Sequence, residues 1–326
     1  MIPNQWIMSY DQAIKWIFIG GVAIADLVLL SFCDMELQWS DLVVPLLCAM
    51  FLSVMSIYYH YRGGDSLVLC MVSLIQLGCY TSVVSVFIYT SISLAFPLID
   101  PWLRSVDEWV GFSPVGVVEW TRRHPGFEHW STWAYLFIVP ETIMGILVVA
   151  FAGRRIILEQ FVFQFMLGIF VCGLFALFLP AWGPIYGYEM TPREWQQPYV
   201  DHLAALCSGE RYLFSWKETE GLCTFPSFHT TWAICLIFLW RKQTLWLSIP
   251  MSTMSVLIIG STLTTGSHYL IDLVGGAVLA AVCIACSRQI TAFSYHANGS
   301  PRVIEWLAPH SLASQLPYLR RHRSNA

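Results

Sequence analysis

Two short stretches contain the residues whose types and spacing could do chemistry. In "FPSFH", residues 225–229, a proline, a serine and a histidine stand at the start of an apolar run. In "SHYLIDLVGG", residues 267–276, His268 and Asp272 are four positions apart, so on a helix they would share one face. An Asp one turn from a His can hold the Nδ1–H and leave Nε2 free to act. We therefore interpret His268 as an oriented, reactive histidine.

The first stretch adds a helix N-terminus. Pro226 suits the start of a helix, and Ser227 is a favourable N-cap. The free backbone N–H groups of the first turn, together with the helix dipole, form a site for an anion. A lone interfacial histidine such as His229 is more often an amphipathic anchor. Two histidines, a carboxylate and a helix N-terminus at one depth favour a functional site instead, and they suit phosphoryl transfer.

The composition identifies the environment of these residues. The 326-residue chain is 56% hydrophobic and 12% charged, about half the charged fraction that is typical of a soluble domain. Residues 66–99, 161–188 and 243–267 contain no Asp, Glu, Lys or Arg, and each exceeds the roughly 20 residues that span a bilayer. The sequence therefore predicts an all-α, polytopic integral membrane helix bundle, since lipid requires every backbone polar group to be satisfied.

Hydropathy predicts about eight transmembrane helices. Their approximate ranges are 14–33, 42–60, 67–96, 132–152, 160–183, 227–241, 245–265 and 268–288. The sixth is short, so we expect it to begin below the membrane surface. The stretch "LIDPWLRSVDEWVGF" reads as a short amphipathic helix on the outer surface, with Asp100 and Asp107 as surface charges.

The distribution of Lys and Arg predicts the orientation. With the N-terminus in the cytoplasm, eleven basic residues fall inside and six fall outside. The short turns give the sharper signal, because Arg154-Arg155 and Arg241-Lys242 both become cytoplasmic. Both histidine motifs then lie at the outer face. We expect an inner- or plasma-membrane protein whose site faces the periplasm or exterior.

The two motifs together resemble those of a known family. "FPSFH" followed some forty residues later by "SHYLIDLVGG" is similar to the second and third signature motifs of the type 2 phosphatidic acid phosphatase superfamily. The form "GLCTFPSFHT…GSHYLIDLVGG" most resembles its inositol-phosphotransferase-like branch, which includes inositol phosphorylceramide synthases. The resemblance covers roughly residues 95–288. It implies that His268 is the nucleophile, Asp272 its partner, His229 the proton donor to the leaving group, and Ser227 a phosphate-binding residue.

The chain departs from the family pattern in its basic residues. Ser261-Thr262 stand where the third motif often begins Ser-Arg, and "ALFLPAWGP", residues 176–184, has no basic match to the first motif. The positive charge for a phosphoryl group must then come from elsewhere. Arg211 and Arg193, both in the second outer loop, are the candidates; each could equally be a solvated loop charge. We favour Arg211, because its segment leads directly to the "FPSFH" helix.

The predicted organisation has three parts. Residues 1–62 form an accessory pair of transmembrane helices, residues 63–290 a membrane-embedded core with a six-helix phosphatase-type arrangement, and residues 291–326 a cytoplasmic tail. The tail reads equally well as an interfacial helix with a basic end or as a disordered segment. Cys207 and Cys223 share an outer, oxidising loop, and we predict a disulfide between them, with two free thiols as the alternative.

The resemblance implies a membrane lipid-phosphate phosphatase that acts through a phosphohistidine, on a lipid-linked phosphate substrate within membrane lipid. The alternative is a lipid phosphotransferase that moves a phosphoryl-linked head group to an alcohol. Two further classes are a zinc-dependent hydrolase that uses His229, His268 and Asp272, and a non-catalytic lipid-binding protein. We expect no cofactor, no metal and no nucleic-acid partner.

Overall fold

The structure, a computed structural model, describes residues 10–297. Within this range, six helices are long and apolar enough to cross a membrane. They are α1 (Tyr10–Leu30), α2 (Val43–Tyr61), α3 (Asp65–Ser93), α8 (Arg155–Phe178), α12 (Leu245–Thr264) and α13 (Leu270–Ala297). The shorter helices are α4 (Asp100–Trp109), α5 (Pro114–Arg122), α6 (Pro125–Leu136), α7 (Ile138–Phe151), α9 (Pro184–Gly187), α10 (Gln197–Cys207) and α11 (Phe228–Trp240). The prediction of an all-α, polytopic membrane protein is confirmed.

The predicted count of eight spans differs from the structure at two places. The predicted span 132–152 is a bent pair, because α6 and α7 meet at 46°. Pro140 lies in the first turn of α7, where a residue without an N–H group is tolerated. Helix α11 has 13 residues, which corresponds to about 20 Å at 1.5 Å per residue. Because a bilayer core is about 30 Å thick, α11 is too short to cross it alone.

Helices α3 and α8 form the centre of the bundle. Helix α3 packs against α1, α2 and α8, and α8 packs in turn against α11 and α13. Close approach of α11 and α13 depends on Gly276, since a Cβ there would lie 2.5 Å from the Ser227 carbonyl oxygen. Helix α2 packs mainly on α3 and leaves most of its apolar side chains exposed, as lipid-facing residues would be. The two histidine motifs are therefore on helices that pack directly together.

A small sheet connects two of the loops. Strands β1 (Met35–Leu37) and β2 (Tyr212–Phe214) pair in parallel, with Met35 opposite Tyr212. These two three-residue strands form the only sheet within residues 10–297. The pairing joins the α1–α2 connection to the loop that precedes the "FPSFH" motif. The N-terminal helices are thus attached to the core at this sheet.

Two predictions about the loops and tail can be compared with the structure. Cys207 and Cys223 are free thiols, so the predicted disulfide is wrong. The Cys207 thiol instead contacts the Ile92 carbonyl oxygen at 4.0 Å. Helix α13 continues to Ala297, beyond the predicted core boundary at residue 290. The remainder of the predicted tail, residues 298–326, lies outside the described residues.

Candidate active site

The two motif histidines lie close together. His229 is in the first turn of α11, and His268 is in the loop two residues before α13 begins. Their ring centroids are 6.2 Å apart. His268 is only 3% exposed, so its ring is almost completely enclosed by protein. The structure therefore brings the predicted nucleophile and the predicted proton donor to one place.

Two acceptors compete for the Nδ1 atom of His268. The Thr224 carbonyl oxygen is 2.9 Å from Nδ1, and Asp272 Oδ2 is 3.4 Å away. The same Asp272 oxygen accepts a hydrogen bond from the Tyr269 N–H at 2.8 Å. A carbonyl oxygen only accepts, so the contact with Thr224 requires the proton on Nδ1 and leaves the lone pair on Nε2. This is the tautomer that a nucleophilic histidine needs.

The environment of His268 also favours its neutral form. Burial lowers the pKa of the His268 imidazole to about 4, while the hydrogen bond to the Thr224 carbonyl acts in the opposite direction. Desolvation disfavours the charged form of a buried base. A neutral imidazole near neutral pH can attack an electrophile without first losing a proton.

Ser227 fixes the start of α11 beside Asp272. Its hydroxyl oxygen accepts a hydrogen bond from the Thr230 N–H at 3.3 Å, which makes it the N-cap of the helix. Its own N–H donates to the Asp272 carbonyl oxygen at 3.0 Å. The first N–H groups of a helix have no intrahelical partner, so those of Phe228 and His229 are available to an anion. The N-terminus of α11 therefore combines an oxyanion site with a histidine.

Tyr135 is a site neighbour that sequence reasoning missed. Its ring stacks on His229, with centroids 4.3 Å apart and planes at 22°. The Trp195 ring lies against the Tyr135 ring, with centroids 5.6 Å apart. Tyr135 lies in "WSTWAYLF", where several aromatic residues look alike. No signal in the sequence separates it from its neighbours, because the contact is between distant segments.

The two candidate arginines are engaged with other groups. Arg211 forms a short ion pair with Glu36 and lies 3.9 Å from Asp34, and its side chain is 62% exposed. It belongs to the region where β1 and β2 pair. The Arg193 guanidinium contacts Glu128 at 2.7 Å. It also donates to the carbonyl oxygens of Thr265 at 2.5 Å and Thr264 at 3.1 Å, and so caps the end of α12.

The interpretation of Asp100 and Asp107 as surface charges is wrong. The predicted helix exists as α4, but the two carboxylates are 1% and 0% exposed. Asp107 accepts hydrogen bonds from the N–H groups of Leu270 and Ile271, the first residues of α13. Burial raises the pKa of both carboxyls, and the N–H hydrogen bonds that they accept act in the opposite direction. The α4 helix thus contacts the segment that contains His268.

A cavity of about 530 Å³ lies between α4, α9 and α10. Trp182, Tyr186 and Tyr199 line it together with Asp100. Neither motif histidine lines this cavity. The lining residue Tyr199 has its hydroxyl 3.1 Å from Thr224 Oγ1, and the Thr224 carbonyl oxygen contacts His268. The cavity is therefore a neighbour of the histidine site and is separated from it by the Thr224 segment.

Residues 10–297 contain no ligand set for the zinc-dependent hydrolase that the sequence left as an alternative. No group of three or more His, Cys, Asp or Glu side chains there is arranged to hold a metal ion. Asp272 Oδ2 and the Nδ1 atom of His268 are instead occupied with backbone groups. The residues present fit acid–base and nucleophilic chemistry of histidine.

Comparison with known proteins identifies the family. A family model described as the PAP2 superfamily matches residues 101–286, from α4 into α13, and so includes both histidine motifs. No curated protein and no solved structure matches the chain. The matched segment covers more than half of the sequence, and the chain therefore belongs to the PAP2 superfamily of membrane phosphatases and phosphotransferases.

Proposed function

We propose that this protein is a lipid-phosphate phosphatase that works through a phosphohistidine at the outer face of the membrane. The observation that carries the proposal is the pair formed by half-buried His229, in the first turn of α11, and buried His268, with ring centroids 6.2 Å apart and with Nδ1 of His268 hydrogen-bonded to a carbonyl oxygen. This pair supplies a nucleophile, a proton donor and an anion site together.

The reaction has two balanced steps. In the first, His268 Nε2 attacks phosphorus, the bond from phosphorus to the lipid oxygen breaks, and that oxygen leaves with a proton from His229. Burial and the neighbouring His268 lower the pKa of His229 to about 3 without substrate, so its protonation in this step depends on the negative charge of the bound phosphate. In the second, His229 takes a proton from water as the water oxygen attacks phosphorus. The phosphorus–nitrogen bond breaks, and inorganic phosphate leaves. Asp272 supports the imidazole of His268 throughout.

The charge on the phosphoryl oxygens needs stabilisation by fixed groups. The N–H groups at the start of α11 and the Ser227 hydroxyl are the best placed. Arg211 remains a candidate only if it leaves its partners Glu36 and Asp34 when substrate binds. Arg193 would have to release the carbonyl oxygens at the end of α12. We therefore assign the main anion-binding role to α11.

Transfer to an alcohol is the second candidate reaction. The resemblance of "GLCTFPSFHT…GSHYLIDLVGG" to inositol phosphorylceramide synthases favours it. The cavity beside Thr224 offers space on the same side as the site for a further polar group. Water needs no second binding site, so we place hydrolysis first. The two reactions share the first step and differ in whether water or an alcohol attacks the phosphohistidine.

A single assay separates the candidates. Purified protein in detergent is supplied with a panel of lipid phosphates, and inorganic phosphate is measured with and without added alcohols and lipid acceptors. Steady phosphate release that acceptors do not change supports the phosphatase. Acceptor-dependent formation of a new phosphodiester supports transfer. Loss of activity with chelators would favour the zinc hydrolase, and lipid binding without phosphate release would favour a binding protein.

The orientation can be tested in intact cells. We propose that residues 184–226 face the periplasm or exterior and that Arg241-Lys242 face the cytoplasm, from the charge asymmetry of the short turns. Cysteine substitutions in the outer loop should react with an impermeant reagent, and a cysteine at position 242 should not. Strong external labelling at position 242 would contradict the outer location of the site.

A further inference from the structure

Helix α4 has an unusual distribution of side chains. Its buried face consists of Asp100, Leu103 and Asp107, at positions i, i+3 and i+7. Trp102 and Trp109 face outward and are 56% and 86% exposed. An amphipathic helix on a soluble protein has the opposite arrangement, with polar residues outside. Burial of two carboxylates is costly unless they are hydrogen-bonded, so their partners are informative.

Asp107 contacts the start of α13. Its Oδ2 accepts from the Leu270 N–H at 2.8 Å, and its Oδ1 accepts from the Ile271 N–H at 3.2 Å. These N–H groups have no partner within α13, because they belong to its first turn. A carboxylate from a distant segment thus takes the place of an N-cap side chain. Asp107 therefore fixes the backbone just C-terminal to His268.

Asp100 contacts Tyr269, the residue after His268, and the backbone of residues 182–183. It accepts hydrogen bonds from the Tyr269 hydroxyl at 3.1 Å and from the N–H groups of Trp182 at 2.9 Å and Gly183 at 2.8 Å. Gly183 has φ +85, and a Cβ there would lie 3.1 Å from the Ser267 carbonyl oxygen. The segment held by Asp100 therefore packs directly against the residue that precedes His268.

We propose that Asp107, supported by Asp100, is a positioning residue for His268. This inference rests on the proposed function of His268 as the nucleophile. His268 lies outside α13, so no helical hydrogen bond fixes its backbone. The α4 carboxylates bind residues 269–271, which follow it, and the segment that Asp100 holds packs against Ser267, which precedes it. A displacement of about 1 Å in a reacting group can cost about 10²-fold in rate. The two aspartates therefore act on the reaction through the placement of Nε2.

The test compares Asp107 with its neighbour on the same helix. Asp107→Ala removes both acceptors, and we expect turnover per active site to fall about 10²-fold. Asp107→Asn keeps one carbonyl acceptor, and we expect about a 10-fold fall. KM should stay within about 2-fold, because the anion site on α11 is unchanged. Glu108→Gln is the matched control and should keep wild-type turnover, since Glu108 is about half exposed and pairs with Arg104.

Two measurements separate positioning from general destabilisation. The amplitude of phosphohistidine formation under alkaline quench counts the competent molecules, so turnover is expressed per competent site. Hydrogen–deuterium exchange of the full-length protein reports the amides of residues 270 and 271, which should exchange faster in both Asp107 variants. Unchanged exchange, or a loss of activity that only follows the competent fraction, would overturn the proposal.

The same experiment distinguishes this inference from the proposed function. If the wild-type protein turns over and the Asp107 variants keep its rate per site, positioning is wrong and the phosphatase stands. If the wild-type protein releases phosphate from no lipid phosphate, the proposed function fails. Exchange at residues 270 and 271 then decides whether Asp107 fixes this backbone: faster exchange supports it, and unchanged exchange overturns it.

Discussion

Two polar regions are buried within the helical bundle, and they differ in how their polar atoms are used. The histidine site contains Ser227, His229, His268 and Asp272. The inner polar cluster, which we define as Gln12, Lys15, Gln76, Arg155 and Glu159, joins α1, α3 and α8. Lys15 and Glu159 are only 2% and 3% exposed, as deeply buried as His268, although the side chain of Arg155 is 55% exposed. Burial of ionisable residues therefore does not by itself mark the reactive region.

In the inner polar cluster, donors meet acceptors from neighbouring helices. Gln76 donates to Gln12 at 2.6 Å, Gln12 donates to Glu159 at 3.4 Å, and Arg155 donates to Glu159 at 2.8 Å. Glu159 is also an anionic neighbour of Lys15. Opposite charges and matched donors fix the helices relative to one another. This arrangement indicates a structural role.

The histidine site leaves its reactive atoms available to a substrate. The Nδ1–H of His268 donates a hydrogen bond to the Thr224 carbonyl oxygen, which leaves Nε2 available. The first N–H groups of α11 have no intrahelical partner. Nucleophilic catalysis requires a side chain that is oriented by one atom, here Nδ1, while its reacting atom, here Nε2, stays available. The comparison predicts that substitutions in the histidine site affect turnover and that substitutions in the inner polar cluster affect stability.

The largest effect is expected at His268. His268→Ala removes the nucleophile, so turnover should fall by at least about 10⁴-fold, as for other nucleophiles that act as part of a unit. No phosphohistidine should form. The measurement is phosphate release together with alkaline-quench detection of labelled protein. A variant that keeps its activity would falsify the mechanism.

His229→Ala should impair turnover severely while leaving one partial reaction. The leaving oxygen then has no proton donor, but a substrate with a good leaving group needs little protonation. Such a substrate should still phosphorylate His268, and the phosphohistidine should accumulate because no base activates water. Time-resolved labelling distinguishes this from His268→Ala, which should show no label. Equal absence of label in both variants would contradict the separate roles.

Asp272→Asn should have a smaller effect than loss of either histidine. Asp272 Oδ2 is 3.4 Å from Nδ1, whereas the Thr224 carbonyl oxygen is 2.9 Å away and remains in place. We therefore expect a fall of about 10²-fold, at the lower end of the roughly 10²–10⁴-fold range for oriented histidines. The kcat of purified protein on the best lipid phosphate checks this. A loss as large as that of His268→Ala would mean that the carboxylate, and not Thr224, determines the tautomer.

Much of the fold and the centre of the site could be predicted from local patterns. Uncharged apolar stretches indicated the long helices, and the two motifs indicated His229, His268, Asp272 and Ser227. The short α11 was also expected, because its apolar run is short. These features depend on residues that are near in sequence. Local composition and spacing are sufficient for them.

The features that the sequence did not reveal are contacts between distant segments. Arg211 is paired with Glu36, 175 positions earlier, because β1 and β2 come together. Asp100 and Asp107 lie in a stretch that contains both acids and tryptophans, and at a membrane interface either face of such a helix can point outward. The pattern therefore gave the helix but not which face is buried. The spacing of Asp100, Leu103 and Asp107 on one face was the available signal.

The smallest effect on turnover is expected in the inner polar cluster. Glu159→Gln keeps the size of the side chain but removes the stronger of the two negative charges beside buried Lys15, and a buried charge that loses part of its compensation is destabilising. We expect the unfolding temperature in detergent to fall by several degrees, while kcat per competent site stays within about 2-fold. Glu108→Gln makes the same chemical change in an exposed ion pair, which contributes little, so it should leave both quantities unchanged. If Glu159→Gln instead lowered kcat as much as Asp272→Asn at unchanged stability, the inner polar cluster would take part in the reaction, and the distinction between the two regions would be wrong.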